Sequence, residues 1–277
     1  MKSIPLPGQF GVEFFDLDVN EMSDFELDRV ATAQNNDGVV FIRDQNLDCE
    51  QHIAFAQRWG DIVTNRFFER VEEYPQIAIV RKEPKHQTVV GETWHTDHSY
   101  DAEPARGSIL YAREVPKMGG DTLFANMYMA YDALSDGLKN TLKQISAVHS
   151  SAHVFSTEAV QANEHEDDRF HSGEQAVQRS IHPVVIQHPI SGRKALYVNP
   201  DFTTHFAGWT EQESQPLLEY LYQHSTQDQF IIRFSWSPGT IAFWDNRAVM
   251  HKAINDYPNE RRLMHRITLS GCALQGI

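Results

Sequence analysis

The sequence has little cysteine and no long apolar run. Cys49 and Cys272 are its only two cysteines, and they fit no metal-binding or redox spacing. A disulfide framework is therefore not expected, and a reducing compartment is favoured. No apolar stretch approaches the length that spans a bilayer, and the segment Met1-Lys2-Ser3-Ile4-Pro5 lacks the apolar core of a signal peptide. We therefore predict a cytoplasmic protein without a membrane partner.

Basic side chains are also scarce. The chain has 24 lysines and arginines against 38 acidic residues, which gives a formal net charge of −14. Nucleic acids and anionic membranes attract basic surfaces, so neither is an expected partner. An anionic small-molecule substrate remains compatible with this negative net charge, because a few arginines in one cavity outweigh the protein's average electrostatic field there. The 277 residues are 41% hydrophobic and contain no repeat or linker, which predicts one domain over 1–277 and leaves a homo-oligomer open.

Apolar periodicity predicts a mixed first third and a β-rich remainder. Helices are predicted at about 24–35 and 48–60, within 127–144, and after the capping box Thr210-Glu211-Gln212-Glu213. Short strands are predicted at 39–43, 77–80, 108–112, 122–124, 182–186, 195–198, 230–234, 240–243 and 267–269. Many short strands with few helices indicate a mainly β fold, a barrel or double-sheet jelly roll with flanking helices. The polar stretch at about 150–180 is predicted to be a lid or a surface insertion.

The segment Trp94-His95-Thr96-Asp97 carries the clearest chemistry. Imidazole and carboxylate are ligands that Fe(II) accepts, and a second histidine would complete a facial triad with three open positions. If the segment is a strand, His95 and Asp97 point to the same face and reach one metal, whereas His98 points away. His251, at the end of the segment 245–251, is the candidate third ligand.

Two arginines follow His251 at intervals of 11 and 15 residues. If 262–269 is a strand, Arg262 and Arg266 share one face and their guanidinium groups line one cavity. A guanidinium is a planar fork that suits two-point binding of a carboxylate or sulfonate.

With these motifs, the chain resembles the Fe(II)/2-oxoglutarate dioxygenases of the taurine dioxygenase and dichlorophenoxyacetate dioxygenase (TauD/TfdA) family. The shared pattern is His-x-Asp, then Thr122 in Gly119-Gly120-Asp121-Thr122 after 24 intervening residues, then Asp-Asn-Arg-x-x-x-His at 245–251, then Arg262. The likeness covers nearly the whole chain. It implies a distorted double-stranded β-helix, which is a jelly-roll variant.

The resemblance also implies roles for individual residues. His95, Asp97 and His251 would bind Fe(II), while Arg262 and Thr122 would bind the distal carboxylate of 2-oxoglutarate. With O2 as the other co-substrate, the products would be succinate, CO2 and an oxidised substrate. The positions implied for substrate binding are Arg266, which matches an arginine that meets the substrate's anionic group, and Phe155, Phe202, Trp244 and Gly91.

The substrate class is narrowed by four positions. Where taurine-specific members place polar groups, this chain has Asn65, Phe68, Gly91 and Val154. The resemblance therefore favours a small organic anion with an apolar body, of the aryloxyalkanoate, alkyl sulfonate or sulfate ester type. The alternatives are a hydroxylase or desaturase of specialised metabolism that acts on a larger molecule, a non-catalytic jelly-roll binding protein, and a zinc hydrolase.

Overall fold

A computed structural model describes residues 1–156, residue 169 and residues 177–277. The predicted lid or surface insertion falls largely on residues 157–168 and 170–176, which lie outside the described residues. None of the described helices is long and apolar enough to cross a membrane.

The described residues form six α-helices and seventeen strands, together with a 3-10 helix at Asp228–Phe230. The helices are α1 Asp24–Asp37, α2 Cys49–Gln57, α3 Met127–Asp132, α4 Asp136–Leu142, α5 Ala152–Phe155 and α6 Glu211–Ser225. The strands are β1 Lys2–Pro5, β2 Val12–Phe15, β3 Val39–Ile42, β4 Ile62–Val63, β5 Arg70–Val71, β6 Tyr74–Lys82, β7 Gly107–Glu114, β8 Thr122–Asn126, β9 Ser146–Ser150, β10 Arg179–Pro183, β11 Val185–Gln187, β12 Lys194–Leu196, β13 Thr203–Phe206, β14 Ile231–Phe234, β15 Ile241–Asp245, β16 Val249–Ala253 and β17 Arg262–Leu269.

Side-chain caps fix where the longer helices begin. Ser23, Asp48 and Thr210 each accept a hydrogen bond from the backbone N–H three residues later, and each forms a full capping box. The predicted start sites of these helices are confirmed. One predicted end is wrong, because α2 stops at Gln57 and not at Gly60.

The single helix expected within 127–144 is also wrong. The structure has α3 and α4 in its place, because Ser135 leaves the helical conformation and its hydroxyl caps a new helix at the Leu138 N–H. The strand expected at 182–186 is divided in a similar way between β10 and β11.

Two sheets organise the fold. The larger has the order β1-β2-β3-β15-β7-β17-β6-β5, with β4 also paired to β17, and the smaller has the order β14-β8-β16. Of the described strand pairs, β2 with β3 is parallel and the others are antiparallel. The remaining strands form the sets β10-β9-β13 and β11-β12.

Successive side chains along the strands face two separate hydrophobic clusters. On β15, Ala242 and Trp244 face a cluster shared with the smaller sheet and with α3 and α6, and Phe124 and Met250 belong to it. Their neighbours Ile241 and Phe243 face a second cluster, which includes α1 and α2. The larger sheet is thus covered on both faces: one packs against the smaller sheet, and the other against helices.

Candidate active site

His95 and His251 come together through the backbone. His251 lies on β16, and an isolated antiparallel bridge joins it to His95, with N–H to carbonyl distances of 3.1 and 2.9 Å. The two imidazole centroids are 4.1 Å apart as a result. The condition of a strand at 94–97 is not met: among the pairings of the described residues, this segment has a single bridge at His95, and a turn begins at Asp97.

The donor atoms of His95, Asp97 and His251 all lie within 4.8 Å of one another. One oxygen of Asp97 is 3.7 Å from His95 Nε2, and the other is 3.9 Å from His251 Nε2. Bonds of about 2.1 Å from three ligands to one ion require ligand separations of roughly 3 to 4 Å. Two imidazoles and one carboxylate at this spacing fit a divalent iron site.

Hydrogen bonds orient these ligands. His95 Nδ1 donates to the carbonyl oxygen of Thr93 at 2.8 Å, which leaves Nε2 as the free lone pair that faces Asp97. Ser108, on β7, donates its hydroxyl to Asp97 Oδ2 at 2.9 Å. Each Asp97 oxygen keeps a second lone-pair position for a metal.

The electrostatics favour the metal-binding protonation states. Burial alone would raise the pKa of Asp97, but the Arg266 guanidinium and then the His251 and His95 rings outweigh it and hold that pKa well below its ordinary value. Burial, assisted by the neighbouring His95, lowers the pKa of His251 far below its usual range. At neutral pH the site therefore presents an anionic carboxylate and a neutral His251, as metal coordination requires.

One cavity contains two of the three ligands and most of the other predicted residues. It is lined by Val80, Val90, Gly91, His95, Leu110, Thr122, Trp244, His251, Ala253, Arg262 and Arg266. The structure thus brings Gly91, Thr122, Trp244, Arg262 and Arg266 together around the histidine pair.

Phe155 and Phe202 belong to an adjoining aromatic cluster. Its buried members are Phe67, Phe68, Ala78, Tyr100, Phe155 and Phe202. Phe202 meets His95 edge to face at 6.3 Å between centroids, and the ring of Phe68 lies 4.8 Å from the Arg266 guanidinium. The cluster therefore forms an apolar surface that contacts both the metal ligand His95 and Arg266.

Arg262 begins β17 and is buried, with 6% of its surface exposed. Burial lowers its pKa from the ordinary arginine value, although Tyr257 and Asp121 oppose the change. Within the described part of the chain, its Nε has no hydrogen-bond partner and its guanidinium forms no ion pair. A desolvated cation in this condition is suited to an anionic ligand.

Arg266 lies on the same face of β17, as the sequence predicts. Buried and half-buried residues alternate along the first five residues of this strand, with Arg262, Met264 and Arg266 buried. Arg266 donates from Nη1 to Asp97 Oδ1 at 3.1 Å. Its observed acidic partner is thus a metal ligand.

Gly91 is required by sterics. Its φ is +78°, and a Cβ built there would lie 2.8 Å from Cε1 of His95. Any side chain at this position would strain the backbone and press on a metal ligand. The Gly91 carbonyl accepts the Ala253 N–H at 2.8 Å, which ties the loop to β16.

The Asp-Asn-Arg motif supports the turn that leads to His251. Arg247 donates to both oxygens of Asp245 at 2.8 and 2.6 Å, and His188 Nε2 lies 3.1 Å from Asp245 Oδ2. Trp244 donates its indole N–H to Asn246, and its ring lies beside that of His251, with centroids 4.6 Å apart and planes tilted by 49°. These buried contacts fix the path from β15 to β16.

Two further side chains contact the site residues and are not predicted from the sequence. Ser108 sits within a predicted strand, where its hydroxyl has no local signal. Trp236 follows β14 and donates its indole N–H to the Thr122 hydroxyl at 2.9 Å. The Ser108–Asp97 contact spans 11 residues and the Trp236–Thr122 contact spans 114, and neither follows from a local pattern.

Comparison with known proteins agrees with this geometry. Residues 2–268 match the family described as taurine catabolism dioxygenase TauD, TfdA family. The chain belongs to this family. A sulfate ester dioxygenase of Pseudomonas putida is 29% identical, over 96% of this chain and 88% of the relative. A 2,4-dichlorophenoxyacetate dioxygenase of Burkholderia sp. (strain RASC) is 31% identical, over 90% and 87%.

Among solved structures, a taurine dioxygenase from Burkholderia xenovorans matches with a TM-score of 0.83 and 32% identity, over 99% of this chain and 92% of that one. This similarity confirms the predicted jelly roll. The membership also confirms that the protein is a 2-oxoglutarate-dependent dioxygenase, so the non-catalytic binding protein and the zinc hydrolase are set aside.

Proposed function

We propose that this protein is an Fe(II)- and 2-oxoglutarate-dependent dioxygenase that hydroxylates a small organic anion with an apolar body, with succinate and CO2 as co-products. The observation that supports it most is one cavity that joins metal ligands, an arginine without an ion pair among the described residues, and a second arginine beside an aromatic cluster. When bound, Fe(II) supplies the oxidising chemistry with 2-oxoglutarate and O2.

The residues of the chain would bind and orient the two organic molecules. His95, Asp97 and His251 would hold the metal and leave three positions open. Arg262 would pair with the distal carboxylate of 2-oxoglutarate, and the Thr122 hydroxyl would donate to the same group. Both side chains line the cavity, which supports this assignment.

The substrate side would be set by Arg266 and the aromatic cluster around Phe68 and Phe202. An anionic group would meet Arg266, and the apolar body would pack on the rings, which also exclude water from the reacting C–H bond. The substrates in the relatives' names, a sulfate ester and 2,4-dichlorophenoxyacetate, both carry an anionic group. The cytoplasmic location, the lack of nucleic-acid and membrane partners, and a homo-oligomer remain predictions.

The decisive experiment is an anaerobic screen followed by product analysis. Aryloxyalkanoates, alkyl sulfates, alkyl sulfonates and taurine are added to the protein with Fe(II) and 2-oxoglutarate, and the absorption band of the complex is recorded. A candidate substrate with an apolar body should shift the absorption band. In air it should give succinate and a hydroxylated product, both identified by mass spectrometry. Desaturation, or turnover of only a larger molecule, would favour the specialised-metabolism alternative. Absence of succinate with every candidate would overturn the proposal.

A further inference from the structure

Trp236 contacts both residues that would bind the distal carboxylate of 2-oxoglutarate. Its indole Nε1 donates to Thr122 Oγ1 at 2.9 Å, and its ring centroid lies 5.5 Å from the guanidinium carbon of Arg262. The ring itself is held edge-on against Phe234, with centroids 5.2 Å apart and planes at 88°. Trp236 is therefore a half-buried, packed side chain that lies beside two polar ones.

The hydrogen bond to Thr122 has a fixed direction. An indole N–H is only a donor, whereas a hydroxyl has one donor and two acceptor positions. Thr122 must therefore accept from Trp236, and its own proton must point elsewhere. A carboxylate is only an acceptor, so it needs a donor. Trp236 thus leaves the Thr122 proton available for a carboxylate in the cavity.

The contact between the Trp236 ring and the Arg262 guanidinium is not a hydrogen bond. The face of an indole ring attracts a guanidinium without accepting a conventional hydrogen bond from it. The ring can therefore hold the Arg262 guanidinium in place while its N–H groups stay available. A carbonyl or carboxylate in the position of Trp236 would compete with the ligand for those donors.

We propose that Trp236 is a positioning residue for the co-substrate, which polarises the Thr122 hydroxyl toward the distal carboxylate and holds the Arg262 guanidinium in place. The inference rests on the proposed 2-oxoglutarate site. It assigns Trp236 no contact with the keto group, the metal or the prime substrate.

The test measures binding to the Mn(II)-loaded protein by isothermal titration calorimetry. Trp236→Phe removes the N–H and keeps a ring, and it should weaken 2-oxoglutarate about tenfold. Binding of 2-oxovalerate, which has a methyl group in place of the distal carboxylate, should change less than about twofold, and so should the Mn(II) affinity. In steady state, the KM for 2-oxoglutarate should rise while kcat at saturation is retained. Trp209→Phe, an exposed tryptophan on the surface, is the matched control.

A double-mutant cycle then asks whether Trp236 acts through Thr122. In the Thr122→Val background, Trp236→Phe should have little further effect on 2-oxoglutarate, because the hydroxyl is already lost. Trp236→Leu should still weaken binding there, because it also removes the aromatic face beside Arg262. With Thr122→Ser, which keeps the hydroxyl, the full effect of Trp236→Phe should return.

The outcomes separate the two proposals. If the parent protein binds Mn(II) but not 2-oxoglutarate, the proposed function fails. If the parent binds it and Trp236→Phe binds equally well, the positioning role is refuted. Equal losses for 2-oxoglutarate and 2-oxovalerate, or additive effects with Thr122→Val, would also refute it by showing a general disturbance of the site.

Discussion

Arg262 and Arg266 lie on one face of β17, both buried, yet their charges are balanced in different ways. Arg266 is bonded to the Asp97 carboxylate at 3.1 Å. Arg262 lies beside the Trp236 ring and forms no ion pair with any described residue. An anion beside Arg262 therefore meets a cation without a competing carboxylate, whereas an anion beside Arg266 must share its arginine with Asp97.

This difference suits the two proposed ligands. A buried charge without a partner costs free energy, and a bound carboxylate recovers it, so the Arg262 side should bind tightly and specifically. The Arg266 side is already satisfied, and only the surplus over its bond to Asp97 is available to a substrate. The co-substrate is the same in every turnover, which agrees with a dedicated site, and we expect the prime substrate to be held more weakly.

The largest expected effect comes from removal of the shared carboxylate. Asp97→Ala should abolish succinate formation and iron binding, as His95→Ala and His251→Ala should. It alone should also leave Arg266 buried without its partner, which costs ~3–5 kcal/mol of stability. Urea unfolding of the three metal-free variants, beside iron content and succinate assays, checks this. Equal stability of all three would mean that the Asp97–Arg266 contact contributes little, and near-normal turnover in any of them would refute the metal site.

Replacement of Arg262 should not lower the stability of the ligand-free protein, in contrast to replacement of Asp97. Arg262→Met removes an unbalanced charge and keeps apolar volume, so the free energy of unfolding without ligand should not fall. The apparent affinity for 2-oxoglutarate should weaken by ~3–5 kcal/mol, or roughly 10²- to 4 × 10³-fold. Unfolding curves and co-substrate titrations measure the two effects. Arg261→Met, an exposed neighbour paired with Glu83, is the control. An unchanged 2-oxoglutarate requirement would make Arg262 a structural residue.

Arg266→Ala should weaken the prime substrate by ~2–5 kcal/mol and spare the substrate-independent turnover of 2-oxoglutarate. The reason is that Arg266 lies beside Phe68 of the aromatic cluster, whereas Arg262 and Thr122 lie beside Trp236. Coupled and uncoupled succinate formation are measured side by side. Equal loss of both would show that Arg266 serves the metal ligand Asp97 and not the substrate.

The sequence predicts this strand better than its contacts. The apolar pattern predicts a strand only at 267–269, and a strand over 262–269 is the condition under which both arginines share a face; β17 spans the longer range and meets that condition. The bond from Arg266 to Asp97 spans 169 residues, and it depends on β17 lying beside β7, where Ser108 holds the same carboxylate. No local pattern specifies the order of strands in a sheet.

The same limit applies to the rest of the site. The motifs identify which side chains meet, because they reflect the family's chemistry, but the bridge that places His95 beside His251 joins two segments that no local pattern pairs. Phe155 and Phe202 are recognisable as buried aromatics, and their membership of the cluster that contacts His95 and Arg266 is shown only by the packed structure. Trp236 carries no motif, and only the structure shows its contact with Thr122.

The last expected effect concerns the helix-covered side of the larger sheet, away from the active site, and it is a reference for the arginine variants. Burial, with the nearby His265 and Arg113, lowers the pKa of His52 to about 3, and burial lowers that of His265 to about 4. The unfolded chain takes up protons at these rings below pH ~6.5, whereas the folded protein does not. The free energy of unfolding should therefore fall as the pH falls from ~6.5, by at most ~1.4 kcal/mol per pH unit for each ring, and this loss should stop near each folded pKa.

His52→Leu should flatten the fall between pH 6.5 and 4.5 in urea unfolding, while His153→Leu, a half-exposed control, should not. Arg262→Met should keep the parent's slope, because its charge lies on the other face of β17. A slope unchanged by His52→Leu would mean that His52 is protonated in the folded state.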